Sequence, residues 1–122
     1  MTPDSAPADS PADDLFARLA AQVKPDQSFG LLVKIRLPAG TQARFAAEAA
    51  KAAKATAAEP GCDQYSFFAD TDEPGTIVLV EKWQRTAALK SHFEQPHFAS
   101  LVGLLQEIGG EAEIHVLVPL AG

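Results

Sequence analysis

The clearest pattern in the chain is the alternation in residues 28–37, SFGLLVKIRL. Phe29, Leu31, Val33, Ile35 and Leu37 fall on one side, and Gly30, Leu32, Lys34 and Arg36 on the other, as in a strand. Two more strand-like runs, CDQYSFFAD and TIVLVEKW, flank the turn TDEPG and read as a hairpin with a loop longer than two residues. EAEIHVLVPL reads as the last strand. Between these runs the period changes to that of helices. Thr41 is placed to cap a helix running to about Ala58. That helix is rich in alanine, with Phe45 as its one large apolar anchor and Arg44, Glu48 and Lys51 on an outer face. Pro60-Gly61 stops it. Thr86 is placed to cap a short helix carrying His92. Pro96 suits the first position of another, through Leu101, Leu104, Leu105 and Ile108 to the stop at Gly109-Gly110.

Ahead of the first strand, DDLFARLAAQV has helical spacing at Leu15, Phe16, Leu19 and Val23, with Asp13 or Asp14 as cap and Pro25 as terminator. Residues 1–12, MTPDSAPADSPA, hold almost nothing to bury and read as a disordered leader. The division is therefore an N-terminal extension, residues 1–26, and one domain, residues 27–122. The order β-α-β-β-α-(α)-β is the split βαβ pattern of the ferredoxin-like α+β class, with a four-stranded antiparallel sheet.

Both faces of that sheet are apolar. Ile77 and Leu79 oppose Val78 and Val80, and Ile114, Val116 and Val118 oppose Leu117. Helices cover one face of a four-stranded sheet, and an apolar second face left in water is a sticky patch. A second copy packed face to face about a two-fold axis would cover it, so the pattern predicts a homodimer through sheet faces.

Composition narrows the function classes. The chain is 47% hydrophobic and 21% charged, with a formal net charge of −6. That balance gives no electrostatic case for nucleic acid or an anionic membrane surface. No apolar run approaches the ~20 residues of a membrane span. The start lacks the basic region and apolar core of a secretory signal, and Cys62 is the only cysteine, so the expected compartment is the cytoplasm. The histidines and the cysteine show no HxxxH, HExxH or CxxC spacing, and no metal is expected on that ground. Nothing resembles a phosphate or dinucleotide loop.

The candidate chemistry lies in EKWQRTAALKSHFEQPHF. His97 would be the second residue of a helix, where the dipole disfavours imidazolium and keeps the ring able to accept a proton. Hydrogen bonding to backbone is the structural alternative. His92 follows Leu89 by three and adjoins Phe93, which turns it inward as a second base or as packing. His115 lies in the last strand and reads as structural or dimer-facing. Trp83 and Glu81 share the face of Leu79 and Ile77. A carboxylate there needs a partner, such as His92, Lys34 or Arg36. Tyr65 and Phe67 share one face of the second strand and are either core or pocket wall. Cys62 reads as a small buried thiol.

EPGCDQYSFF followed by TIVLVEKWQRTAALKSHFEQPHFASL resembles the antibiotic biosynthesis monooxygenase (ABM) family, nearest to its quinol monooxygenase branch. The motifs are Pro60-Gly61-Cys62, Glu81 with Trp83, Ala88-Leu89 with His92, and Pro96-His97-Phe98, within roughly residues 29–118. The resemblance implies a dimeric α/β barrel with a pocket between helices and sheet in each protomer. It also implies oxygenation of an electron-rich aromatic, a phenol or hydroquinone, by dioxygen without metal, flavin or haem. His97 and His92 would then be the catalytic residues, and Trp83, Glu81, Tyr65, Phe67 and Arg36 would line the substrate pocket. Two alternatives stay open. One is isomerisation of a small phosphorylated dione, with Lys34 and Arg36 as its cations. The other is a non-catalytic dimeric binding module. Haem-degrading members use a strand asparagine and a helix histidine. This chain has no asparagine, and the matching helix position is Val102, which disfavours that activity.

Overall fold

A computed structural model describes residues 11–121, with side chains from Asp14 onward; of the leader expected over residues 1–12, residues 1–10 lie outside the described residues, whereas Pro11 and Ala12 already belong to the first helix. The elements are α1 (Pro11–Gln22), β1 (Phe29–Arg36), α2 (Gln42–Ala57), β2 (Cys62–Ala69), β3 (Thr76–Trp83), α3 (Thr86–His92), α4 (Pro96–Glu107) and β4 (Glu111–Leu117). The strands form one sheet in the order β2-β3-β1-β4, with every neighbouring pair antiparallel. This is the ferredoxin-like α+β architecture that the alternation predicts.

The register assigns the two faces. Val116, Leu31, Glu81 and Tyr65 form one row across the sheet, and Phe29, Trp83 and Cys62 the next. Both rows lie on the helix-covered side, where Phe29, Leu31, Val33, Ile35, Leu79 and Trp83 are buried. The opposite face carries the row His115, Leu32, Val80, Ser66 and the row Glu113, Lys34, Val78, Phe68.

Helix α2 buries Phe45, Ala49, Ala52 and Thr56, spaced by four, three and four. One stripe of the helix therefore faces the sheet, and its methyl groups allow close approach. Leu15 and Leu19 of α1, with Val23 just past its end, are buried in the same core cluster as residues of β1 and β3. Phe16 meets Phe93 edge-on at 5.3 Å, and the Arg18 guanidinium donates to the Ile114 carbonyl at 3.1 Å. The helical part of the N-terminal extension thus shares the core of the domain.

Two caps differ from expectation, and a third, Thr41, takes the expected N-cap position without a side-chain cap bond. Helix α1 starts at Pro11, so Asp13 and Asp14 fall inside its first turn. Arg85, extended at φ −160° and ψ 158°, occupies the N-cap of α3, and Thr86 is already helical. Thr41 does precede α2, but its hydroxyl donates back to the Pro38 carbonyl at 2.7 Å and makes no cap bond. A cap needs its own backbone angles as well as the right side chain.

Candidate active site

Helix α2 ends two residues before Glu59, and Pro60-Gly61 then turns the chain into β2. Gly61 has φ +87°, and a Cβ there would lie 2.7 Å from the Ala88 Cβ, so glycine meets both demands. The turn is tied to the end of β3 by the Gln84 N–H donating to the Gly61 carbonyl at 2.8 Å. Just after it, the β2–β3 register slips between Cys62 and Gln64, a bulge that re-aims the start of the strand. Glu59 is thereby held against α3 and the first turn of α4.

There it meets both candidate bases. His92 Nδ1 lies 2.9 Å from Glu59 Oε2, and His97 Nε2 lies 2.5 Å from the same oxygen. His92 is wholly buried, at 1% exposure, and its Nε2 has no hydrogen-bond partner. Aromatic rings surround it. Trp83 is 5.1 Å away between centroids, Tyr65 and Phe98 5.2 Å each, His97 5.8 Å and Phe93 6.0 Å. Burial pushes the His92 pKa down, against the pull of the Glu59 carboxylate, so the ring is neutral near pH 7.

Glu81 lies on the inner face between Leu31 and Tyr65. Of the partners expected for it, none is used. The Trp83 indole N–H donates to its Oε1 at 2.9 Å, which fixes both side chains. Burial raises its pKa to about 7 despite that bond, with a further push from the Glu59 charge. The Tyr65 phenol is held neutral by burial and by the nearby Glu81 and Glu59 charges. Burial, then the Glu59 and Glu81 charges, lifts the Cys62 thiol to about 11, which suits a packed thiol and not a nucleophile.

The structure brings His92, His97, Trp83, Tyr65 and Glu81 into one neighbourhood, with Phe67 beside Tyr65 at 5.5 Å. Arg36 stands apart on the outer face, paired with Glu113 at 3.3 Å and Glu73 at 3.9 Å. His115 is on that face too, 2.5 Å from Glu113. The rings are closely packed, and two hollows approach them. One, an open depression of about 430 Å³, is lined by Glu59, Arg85, Ser91, Gln95 and His97 among others. The other, about 470 Å³, runs between the alanine face of α2 and strand β2, with Ala49, Ala53, Tyr65 and Phe67 on its walls. Neither hollow is lined by Trp83 or His92.

Glu59 is the member of this cluster that the spacing of the histidines does not reveal. One signal was available in the sequence. A carboxylate just past a helix C-terminus faces the negative end of the dipole, and such a placement calls for a specific partner.

A small ferredoxin-like domain with a part-buried histidine–carboxylate–histidine cluster beside aromatic rings defines the class. Within it, the antibiotic biosynthesis monooxygenase family model matches residues 28–103, more than half of the chain, and the chain belongs to that family. It is 38% identical over 64 residues to "Putative monooxygenase YcnE" of Bacillus subtilis (strain 168), covering 52% of this chain and 67% of that one. It is 43% identical over 44 residues to "Uncharacterized protein sll1783" of Synechocystis; that match covers 36% of this chain and spans 30% of the relative's length. Among solved structures it is similar in fold to a variant of SnoaB, a cofactor-independent oxygenase from Streptomyces nogalater. The TM-score is 0.68 at 17% identity, over 79% of this chain and 96% of that one.

Proposed function

We propose that the protein is a cytoplasmic monooxygenase that uses dioxygen to oxidise a phenol, quinol or similar electron-rich aromatic without a cofactor, with His92 as the base. One observation carries this reading. His92 is buried among aromatic rings, Glu59 accepts from its Nδ1, and its Nε2 is left without a partner. A carboxylate that holds the proton on Nδ1 leaves a lone pair on Nε2, the usual arrangement of an oriented general base. Family membership and the oxygenase relative in fold support the oxygenase chemistry.

The chemistry follows from the oxidant. Triplet dioxygen reacts slowly with closed-shell molecules, whereas a phenolate gives up one electron readily. His92 Nε2 takes the phenol proton, the phenolate reduces dioxygen to superoxide, and the two radicals join at the para carbon. The resulting peroxide loses water, with a proton returned from His92, so that a phenol and dioxygen become a quinone and water. One oxygen atom enters the ring and the other leaves in water. The apolar groove between α2 and β2 has flat walls for an aromatic guest and reaches Tyr65, whose ring meets His92. Entry to His92 then requires the Tyr65 side chain to swing. His97 shares the Glu59 oxygen and would steady its charge while His92 cycles.

The working unit in this proposal is a homodimer through outer sheet faces, where Phe68 and Leu117 are exposed beside Leu32, Val78 and Val80. No helix among the described residues is long and apolar enough to cross a membrane. The test is oxygen uptake and quinone formation by chelator-treated protein over a panel of phenols and quinols. Turnover lost in His92→Gln supports the proposal; no uptake with any member of the panel overturns it for those substrates.

A further inference from the structure

Glu59, His92 and His97 each offer a ligand atom, and these atoms lie within 4.8 Å of one another. They come from the turn after α2, the last residue of α3 and the second residue of α4. This convergence is created by the fold and is absent from the sequence spacing. We infer that the three side chains form a divalent transition-metal site, of the zinc or cobalt type, that excludes the base role of His92 while it is filled.

Two imidazoles and one carboxylate suit a borderline ion and not magnesium or calcium, which favour sets of oxygen ligands. Around a tetrahedral ion with bonds of ~2.0–2.1 Å, neighbouring ligand atoms stand about 3.3 Å apart. The present separations from Glu59 Oε2, 2.9 and 2.5 Å, therefore need to open by less than about 1 Å. His92 is locked by the rings around it, whereas His97 and Glu59 border the open depression and have room to move. That depression also leaves the fourth position of the ion accessible, and Arg85 on its wall suits an anionic ligand there.

The coupling to the base follows from tautomers. In the metal-free cluster, Glu59 keeps the proton on His92 Nδ1 and the lone pair on Nε2. An ion bound at Nδ1 needs the lone pair there, so the proton moves to Nε2. That buried atom, without a partner in the metal-free cluster, then becomes an N–H among the Trp83 and Tyr65 rings, where a weak N–H···π contact can receive it. One site thus has two exclusive states, a free base or a filled metal site.

The test uses the untagged full chain, stripped with chelator and titrated with cobalt(II). The expected result is the intense visible absorption of four-coordinate cobalt, saturating at one ion per chain and persisting in a large excess of magnesium. Glu59→Gln and His97→Gln should each weaken the affinity about tenfold or more, while His115→Gln on the outer face leaves it unchanged. Melting curves of each variant separate lost ligands from lost fold, and cobalt should raise the melting temperature of the parent and of His115→Gln clearly more than that of Glu59→Gln or His97→Gln. No four-coordinate spectrum up to millimolar cobalt, or a spectrum indifferent to both ligand substitutions, overturns the inference. Because the readout is spectroscopic, it stands or falls independently of the oxygenase proposal.

Discussion

Glu59 and His92 are 33 positions apart in the sequence, yet the carboxylate Oε2 stands 2.9 Å from the imidazole Nδ1. The pairing joins the end of the first crossover helix to the end of α3, and it sets which nitrogen of His92 is free. Replacing Glu59 by Gln keeps an acceptor for Nδ1–H and removes the charge that stabilises the protonated ring. On the proposed mechanism, kcat should fall by about 10²-fold, within the range for general-base assistance. The fold should survive, because Glu59 borders the open depression. Oxygen-uptake kinetics with a circular-dichroism control check this.

Glu81 should give stability a pH dependence of its own. Its folded pKa is raised from 4.5 to about 7, so the fold prefers the protonated carboxyl. For such a group the stabilising contribution is complete below the unfolded value near 4.5. It is lost as pH rises through about 7, because the unfolded chain releases the proton first. The amount at stake is of order 3 kcal/mol at pH 8. Glu81→Gln mimics the neutral acid and can still accept from the Trp83 N–H. Urea unfolding at pH 5 and pH 8 should show the variant gaining on the parent at the higher pH, and an unchanged difference would remove Glu81 as the cause.

Cys62 should be slow to alkylate although it is only half-buried. With its pKa near 11, the thiolate fraction at pH 8 falls on the order of 100-fold below that of a free cysteine, and at least tenfold slower reaction with iodoacetamide is expected after allowing for partial exposure. Glu59→Gln removes one of the charges raising that pKa and should speed the reaction. Mass-spectrometric timing of adduct formation reads both effects.

The sequence carried the element order because the two periods are distinct: Phe29 to Leu37 alternate, whereas Leu101, Leu104, Leu105 and Ile108 follow a helix. It also put Glu81 and Trp83 on one face, since a strand turns every second side chain the same way. The same rule sends Arg36 outward, opposite to Ile35, where Glu113 and Glu73 receive it. The cap positions and Glu59 were harder to read for a shared reason. Each depends on backbone angles in a short connection, and residue type alone fixes those weakly. The indole partner of Glu81 was hidden differently. Residues two apart in a strand lie on one face, and a side chain must bend along the strand for them to bond.

Helix α1 should be required for full stability, although the family match begins only at residue 28. Leu19 is 1% exposed within the core cluster that includes Trp83 and Leu31. Leu19→Ala should cost about 2–4 kcal/mol, in the usual range for a buried leucine. An exposed position of the same helix, Ala20→Ser, should cost well under 1 kcal/mol. Chemical denaturation of both variants tests whether α1 belongs to the cooperative unit, and equal small effects would show it to be peripheral.

The outer sheet face makes the most exacting prediction. Three strands of eight residues and one of seven, at ~4.8 Å between strands and ~3.3 Å per residue, present about 500 Å² in projection. A stable interface uses about 800 Å² per partner, so the flat face alone is small. Beyond β4 the chain continues with Val118 at 50% exposure and Leu120 at 103%, and these residues extend the apolar surface past the sheet edge. If the dimer forms through this face, both parts should contribute. Val80→Lys, at the centre of the face in the row with Leu32 and His115, should give a monomer, since the charge would be buried opposite its own symmetry mate. Removing residues 118–122 should weaken association at least tenfold while leaving the melting of the monomer nearly unchanged, because none of the described residues there is in the core. Light scattering and sedimentation from one to fifty micromolar, about the range in which a standard interface with a micromolar constant dissociates, would measure both effects. A parent chain that is monomeric throughout that range would rule the face-to-face dimer out.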